Sequence, residues 1–533
     1  MPDTGHTKKS SPKSAYDKLK ERFAKIIDIS NASAILYKEA EVSMPKNSSD
    51  DRTRQLMALA EVTHDLIKAP EVERWLDQAE KHSASLPPAD VRNLALMRRA
   101  WVHEASLPDE LASEMARIGS EGERLHTELR KTGDWSKIKD WYAHSFEIMR
   151  TVGQIKKDKL GSASVYEALL DTFSPDLADA TVARELGAME KVLPGMIREA
   201  IQRQAQMPAP IPLKGPFPKA QQEELARRLT KAIGFDFTRG RMDMIDAHPS
   251  TGGSASDVRF TTDCDEASFL EAVYSTVHEA GHALYEQNTP LEHRYQPVGG
   301  SMGMSIHESQ SGIIERNACH TPEFFQYLEK EARDVFNRPD DPALSAKNLE
   351  RLASKVNPSF IRIEADELTY PAHIILRYKL EKALVEGTLS IDDLPKAWND
   401  GMKNLLGITP PGNAQGCMQD VHWPTGSIGY FPAYTLGNMG AAQFFDAACK
   451  AKPEIPAELA KGNFKPLREW LRDNVHGKGS LLTTDELFIA ATGEKLNAKH
   501  YLNHLSTRYL GKPLQQAPAA NANSVKQVKK PGG

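Results

Sequence analysis

Apolar residues recur at three- and four-residue steps along most of the chain, the spacing of helices that bury one face. Tyr16, Leu19, Phe23, Ile26 and Ile27 share such a face from Ser14 onward. Met44-Pro45 and the polar run to Asp51 break the pattern, and Leu56, Leu59, Leu66 and Ile67 resume it up to Pro70. The same period runs through 71–83, 88–131, 135–159, 163–172 and 178–206, with breaks at Pro87-Pro88, Gly133 and Ser174-Pro175. A proline-rich linker over 208–218 leads into a helix over 219–233. Between 234 and 262 the period changes to two, and Phe235-Asp236-Phe237 and Val258-Arg259-Phe260-Thr261 alternate as short strands do. Helices are predicted again over 266–287, 307–318, 322–336, 346–355, 364–386, 391–405, 435–450 and 464–474, with more to residue 510. No fixed-period repeat is present. The pattern predicts a mainly α protein with a small β-sheet, a single helical domain over 14–511 between polar tails at 1–13 and 512–533.

The predicted helix over 266–287, which Asp263 or Asp265 could cap, carries Val277-His278-Glu279-Ala280-Gly281-His282. His278 and His282 are four residues apart and project from one helical face, where two imidazoles can share a Zn²⁺. Glu279 sits one step round the helix, where a general base for a metal-activated water is wanted. A catalytic zinc needs a third protein ligand and an open position. Glu308 of Ser305-Ile306-His307-Glu308-Ser309-Gln310, on a second helix beyond a Gly/Pro-rich connection, is the candidate, as in gluzincins. Its competitors are His307 and Glu286, which would have to bend back along its own helix.

Composition narrows the class. With 67 basic and 72 acidic residues well mixed and a net charge of −5, the chain has no nucleic-acid footprint. Its four cysteines, Cys264, Cys319, Cys417 and Cys449, are too scattered for a disulfide framework. The N-terminus has no apolar targeting core and no apolar run is long enough to span a membrane, so a cytoplasmic protein is expected.

Further motifs accompany the metal pair: Asp257-Val258-Arg259-Phe260-Thr261, Ile361-Arg362-Ile363-Glu364-Ala365-Asp366, Gly416-Cys417-Met418-Gln419-Asp420-Val421-His422-Trp423, and Phe431-Pro432-Ala433-Tyr434. With these, residues 14–510 resemble the carboxypeptidase Taq family of zinc metallocarboxypeptidases. The chain departs from that family at His248-Pro249-Ser250, where His-Pro-Phe is usual, and around Tyr37 to Pro45, where the usual Trp-Asp pair is lost. The resemblance implies a large two-lobed helical zincin of the neurolysin type, with the sheet beside an active-site cleft. It also implies one Zn²⁺ per subunit, a homodimer, and removal of single C-terminal amino acids from peptides with broad specificity. Nitrogen and oxygen ligands would also admit Co²⁺.

A carboxypeptidase must anchor a free α-carboxylate, and a planar guanidinium does so bidentately. Arg362 is the candidate, with a salt bridge to Glu364 or Asp366 as the purely structural alternative. Tyr434 is a candidate hydroxyl donor to substrate, and His422 a donor to the developing oxyanion. Asp420 could orient His422 or back a metal-binding imidazole, and Asp366 could do likewise. Arg259 and His248 are weaker candidates for substrate contact, and Asp257 with Arg259 could simply brace a strand. A zinc endo-oligopeptidase on the same fold would use the same metal set and Glu279 without the carboxylate anchor. A helical scaffold keeping the metal for structure alone would want a fourth protein ligand, and none lies obviously beside the three.

Overall fold

The structure, a computed structural model, describes residues 13–514. The predicted tails fall almost wholly outside it. The last described residues pack onto the chain, since Lys512 accepts from the Ser506 hydroxyl and the Leu514 amide donates to Asn503. The described residues are helical throughout apart from one three-stranded sheet and the connecting turns.

Two hydrophobic cores organise the helices. The first four, Ala15–Val42, Ser49–Lys68, Pro70–Lys81 and Pro88–Ala105, close around Leu19, Phe23, Val72, Leu76 and Met97. The remainder share a larger core that runs from Ile138 to Leu510 and includes Phe260, Phe269 and Val277. Among the described residues no helix is long and apolar enough to cross a membrane. All four cysteines are unpaired.

The helix pattern is largely as predicted, with corrections at places where side chains reshape an end. The run over 88–131 divides at Pro108, and Asp109–Leu129 starts afresh behind it, because proline cannot donate to the preceding turn. The helix predicted from 266 begins at Phe269; Asp265 instead accepts the Ala267 amide in a tight turn, while Asp263 takes the Ser275 hydroxyl. The helix predicted from 364 begins at Tyr370, since Arg362–Glu364 is a single 3₁₀ turn.

The sheet comprises β1 (Gly240–Met244), β2 (Thr251–Ser254) and β3 (Asp257–Thr262), in the order β1-β3-β2. β3 pairs parallel with β1 and antiparallel with β2, placing Thr251 opposite Phe260. Phe235-Asp236-Phe237 is not a strand. Asp236 accepts the Thr238 amide and hydroxyl and turns the chain, and Phe235 packs edge-on against Phe260, 5.3 Å between ring centres. Its alternation reflects two aromatics meeting at a turn.

Candidate active site

His278, Glu279 and His282 lie on the helix Phe269–Gln287, and Glu308 on the helix Met304–Gly312. One donor atom from each of His278, His282 and Glu308 lies within 4.8 Å of the others. Both imidazole Nε2 atoms are 3.8 Å from the Glu308 Oε2. Donors bonded at about 2.0–2.1 Å with tetrahedral angles stand about 3.4 Å apart. The two imidazole-to-carboxylate distances are within a few tenths of an ångström of that spacing, and the donor set fits a metal ion.

Two glycines let the helices come this close. A Cβ on Gly281 would meet the Gln310 carbonyl oxygen at 2.6 Å and the Ser311 Cα at 2.8 Å. On the helix Pro432–Ala451, a Cβ on Gly437 would press into the Cβ of Glu308 and come within 3.0 Å of its carbonyl carbon. The helix that carries Glu308 is thus wedged between two helices, each of which presents a glycine to its backbone at the closest approach.

Each imidazole is oriented by a group on its far nitrogen, as metal-binding histidines usually are. His278 Nδ1 is 2.8 Å from Glu315, in the widened π-helical segment Ile313–Ala318 that continues the Glu308 helix. Burial would push the Glu315 carboxyl up, but Arg316 and His278 hold it down at about 2. His282 Nδ1 lies 2.5 Å from His307 Nδ1, and His307 Nε2 lies 2.8 Å from Glu286, which also accepts from Ser301. One tautomer satisfies the whole chain: His282 Nδ1–H donates to His307, and His307 Nε2–H donates to Glu286. Both imidazoles then turn Nε2 toward Glu308. His307 and Glu286, the sequence-level competitors for third ligand, thus stand behind His282. Glu315 carried no sequence signal beyond its position seven residues past Glu308.

The Glu279 carboxylate is buried and accepts a 2.6 Å hydrogen bond from the Thr251 hydroxyl at the start of β2.

A second cluster lies around Arg362. Its Nε and Nη2 donate to Asp420 at 3.0 and 2.9 Å and its Nη1 to the Tyr370 hydroxyl at 2.9 Å. Of five N–H groups two remain, one on each terminal nitrogen. Asp420 also receives Arg377, at 2.7 Å from Nε. The partner of Arg362 is therefore Asp420, not Glu364 or Asp366. Asp420 accordingly serves guanidinium groups; no hydrogen bond joins it to His422 or to His278 or His282 among the described residues. The two guanidinium groups and one carboxylate carry a net charge of +1, and all three side chains are nearly buried, at 8, 0 and 12% exposure. Nearby histidines do not change this balance. Burial, with the adjacent arginines, lowers His373 to about 3; burial lowers His422 to about 4 despite Asp420, and both are neutral at neutral pH.

Tyr370, Tyr430 and Tyr434 feel both the Glu308 carboxylate and the Arg362 guanidinium. Burial raises all three phenols, Tyr430 to about 12, so each remains an O–H donor. The Arg362 guanidinium lies over the Tyr434 ring at 5.1 Å, and His422 packs on Phe431 and Tyr430. The Glu308 carboxylate and the Arg362 guanidinium thus act electrostatically on the same three phenols.

The remaining candidates sit elsewhere. Arg259 is held by Asp257 at 3.0 Å through two nitrogens and by Glu39, and so braces the sheet against the first helix. His248 is exposed in the turn before β2. Asp366 accepts the amides of Asn357, Leu368 and Thr369 and fixes the turn ahead of Tyr370.

The family model described as carboxypeptidase Taq (M32) metallopeptidase matches residues 18–509. Thermostable carboxypeptidase 1 of Thermus thermophilus is 32% identical over 508 residues, covering 94% of this chain and 99% of that protein. Carboxypeptidase 1 of Bacillus subtilis is 30% identical over 93% of this chain and 97% of its own length. Among solved structures, metallocarboxypeptidase 1 of Trypanosoma cruzi superposes with a TM-score of 0.90 at 34% identity, covering 93% of this chain and 99% of that one.

Proposed function

Because the chain belongs to the carboxypeptidase Taq (M32) metallopeptidase family, we propose that it removes single amino acids from the free C-termini of peptides, with zinc held by His278, His282 and Glu308. One observation carries the assignment beyond the family: the buried cluster of Arg362, Arg377 and Asp420 has one positive charge too many and two unspent N–H groups on Arg362. A carboxylate arriving there would balance the charge and use the fork. An endo-oligopeptidase, which has no chain end to bind, would have no use for this arrangement.

A divalent cation on the three donors would polarise the scissile carbonyl and acidify the attacking water. Two imidazoles and a carboxylate suit Zn²⁺ and also admit Co²⁺. The chain's own groups do the rest. Arg362 holds the α-carboxylate, with Asp420 and Arg377 fixing its plane. Glu279 takes a proton from the water and passes it to the departing nitrogen. Tyr434 offers a hydroxyl to the carboxylate or to the developing oxyanion, and neutral His422 offers an N–H near it. In the same reading the enzyme is a cytoplasmic homodimer, each subunit carrying a complete site.

The test is hydrolysis of one N-blocked dipeptide, as the free acid and as its amide, by zinc-loaded enzyme and by Glu279→Gln. Cleavage of the free acid alone, abolished in the variant, is the expected result. Equal cleavage of the amide would overturn the carboxylate anchor and restore the oligopeptidase reading.

A further inference from the structure

Glu279 is held from a part of the chain with no other share in the site. Lys38, near the end of the first helix, is only 2% exposed. Its ammonium donates to the Ser250 carbonyl at 2.8 Å, to Glu41 at 2.9 Å and to the Ser250 hydroxyl. A lysine has three N–H donors, and here all are used. Burying an ammonium is costly unless it is paired and hydrogen-bonded, so this geometry is strongly specified.

The grip falls on both neighbours of Thr251. Ser250 is fixed on one side by Lys38 and on the other by β3, whose Thr261 amide donates to the same carbonyl at 2.9 Å. The stem of Lys38 runs along Gly252, where a Cβ would come within 3.3 Å of its Cε. β2 pairs with β3 alone, on one edge, over four residues. A short edge strand needs something beyond its ladder to keep its place. Thr251, between the two gripped residues, donates to Glu279 Oε2 at 2.6 Å. Among the described residues Oε1 has no hydrogen-bond donor, so the hydroxyl leaves one carboxylate oxygen for the water.

We infer that Thr251 and Lys38 are positioning residues: Thr251 orients the Glu279 carboxylate, and Lys38 acts through Thr251 by fixing β2. This rests on the reading of Glu279 as general base. The first four helices then contribute to the chemical step, although no residue of theirs reaches the metal donors.

The test is steady-state kinetics with the free-acid dipeptide on zinc-loaded full-length enzyme, for Thr251→Val, Thr251→Ser, Lys38→Met and the Lys38→Met/Thr251→Val double variant. Thr251→Val is expected to lower kcat by about 10- to 100-fold, with KM and zinc content near wild type, because a misplaced base costs rate rather than binding. Thr251→Ser, which keeps the hydroxyl, is expected to restore most of kcat. Lys38→Met is expected to lower kcat clearly in the wild-type background and by less than about twofold once Thr251 is Val, since residues acting in series are not additive. Gly252→Ala, which crowds the lysine stem without removing its charge, repeats the comparison if Lys38→Met folds poorly. Equal losses from the Lys38 or Gly252 change in both backgrounds would overturn the coupling. An unchanged kcat in Thr251→Val would overturn the role of Thr251. An active Glu279→Gln enzyme would instead sink the general-base reading on which both depend.

Discussion

Gly437→Ala is the substitution from which the structure allows the most to be calculated. The added methyl would lie 3.0 Å from the Glu308 carbonyl carbon and closer still to its Cβ. Carbon atoms prefer separations of about 3.5–4.0 Å, so the Glu308 backbone must retreat by at least about half an ångström, and roughly 1 Å once Cβ is counted. Retreat is blocked on the opposite side, where the same helix already touches Gly281 through Gln310 and Ser311. Metal–ligand distances tolerate errors of about 0.2 Å, so the carboxylate loses its bond length well before the fold fails. Overpacking of this kind costs about 1–3 kcal/mol, offset by up to about 1 kcal/mol of helix propensity gained on replacing glycine. The expected outcome is a folded protein, melting within a few degrees of wild type, whose zinc affinity is lower by about 100-fold or more. Competition with a fluorescent chelator reads the affinity and thermal unfolding of the apo forms reads the fold. Gly440→Ala is the control on the same helix, since there the nearest atoms are the Phe488 ring edge at 3.0 Å and the Ser309 Cβ at 3.2 Å, both looser than the contact at Gly437. If Gly437→Ala binds zinc as tightly as Gly440→Ala, the wedged placement of Glu308 is wrong.

Three further outcomes follow from the same geometry. Glu315→Gln keeps the shape but removes the charge behind His278, and zinc affinity should fall by about 10- to 100-fold in the same chelator assay. Metal binding should depend on pH with a defined sign. Burial lowers His278, but the Glu315 hydrogen bond and the charges of Glu315, Glu279 and Glu308 overcome it and raise the metal-free imidazole to about 9. A raised pKa means that the proton must leave for zinc to bind, so affinity should climb by about tenfold per pH unit between pH 7 and 8 and level off above 9. The stabilisation that this proton gives the apo protein runs oppositely, complete below about pH 6.5 and lost as pH rises through 9. Calorimetry in buffers of different ionisation enthalpy would count the released proton. Asp420→Asn should leave zinc content intact and raise KM for free-acid dipeptides, because the single oxygen that takes both Arg362 Nε and Nη2 loses its charge and Arg377 loses its charged acceptor; an unchanged KM would refute the anchoring role.

The parts of the site that were legible in the sequence are those fixed by a helix's own geometry. His278 and His282 meet because they are four residues apart, and Glu279 follows from its step round the same turn. Glu308 was reachable because its helix follows closely. What stands behind these groups was not legible, since His307 and Glu286 meet His282 only through the packing of two helices, and Glu315 reaches His278 through a widened turn with no sequence marker. The Arg362 partner was sought nearby in Glu364 and Asp366, yet the Gln419 side chain accepts the Arg362 amide at 2.8 Å and brings Asp420 across 58 residues. Phe235-Asp236-Phe237 misled for a related reason: alternation reports burial on two sides, which a turn between aromatics also produces. Thr251 sits in a Gly- and Ser-rich stretch that reads as an ordinary loop.

The guanidinium pair on Asp420 has an implication for how the folded protein is provisioned. If the proposed anchor holds, the counter-ion of this buried cation belongs to the substrate, so the cluster is electrostatically complete only when a chain end docks. That completion outlasts the cleavage, because the released amino acid carries the same carboxylate that the intact peptide did. Recognition at this point therefore distinguishes ends from interiors, but not reactant from product. Free amino acids should then compete with peptides for the same anchor and act as product inhibitors.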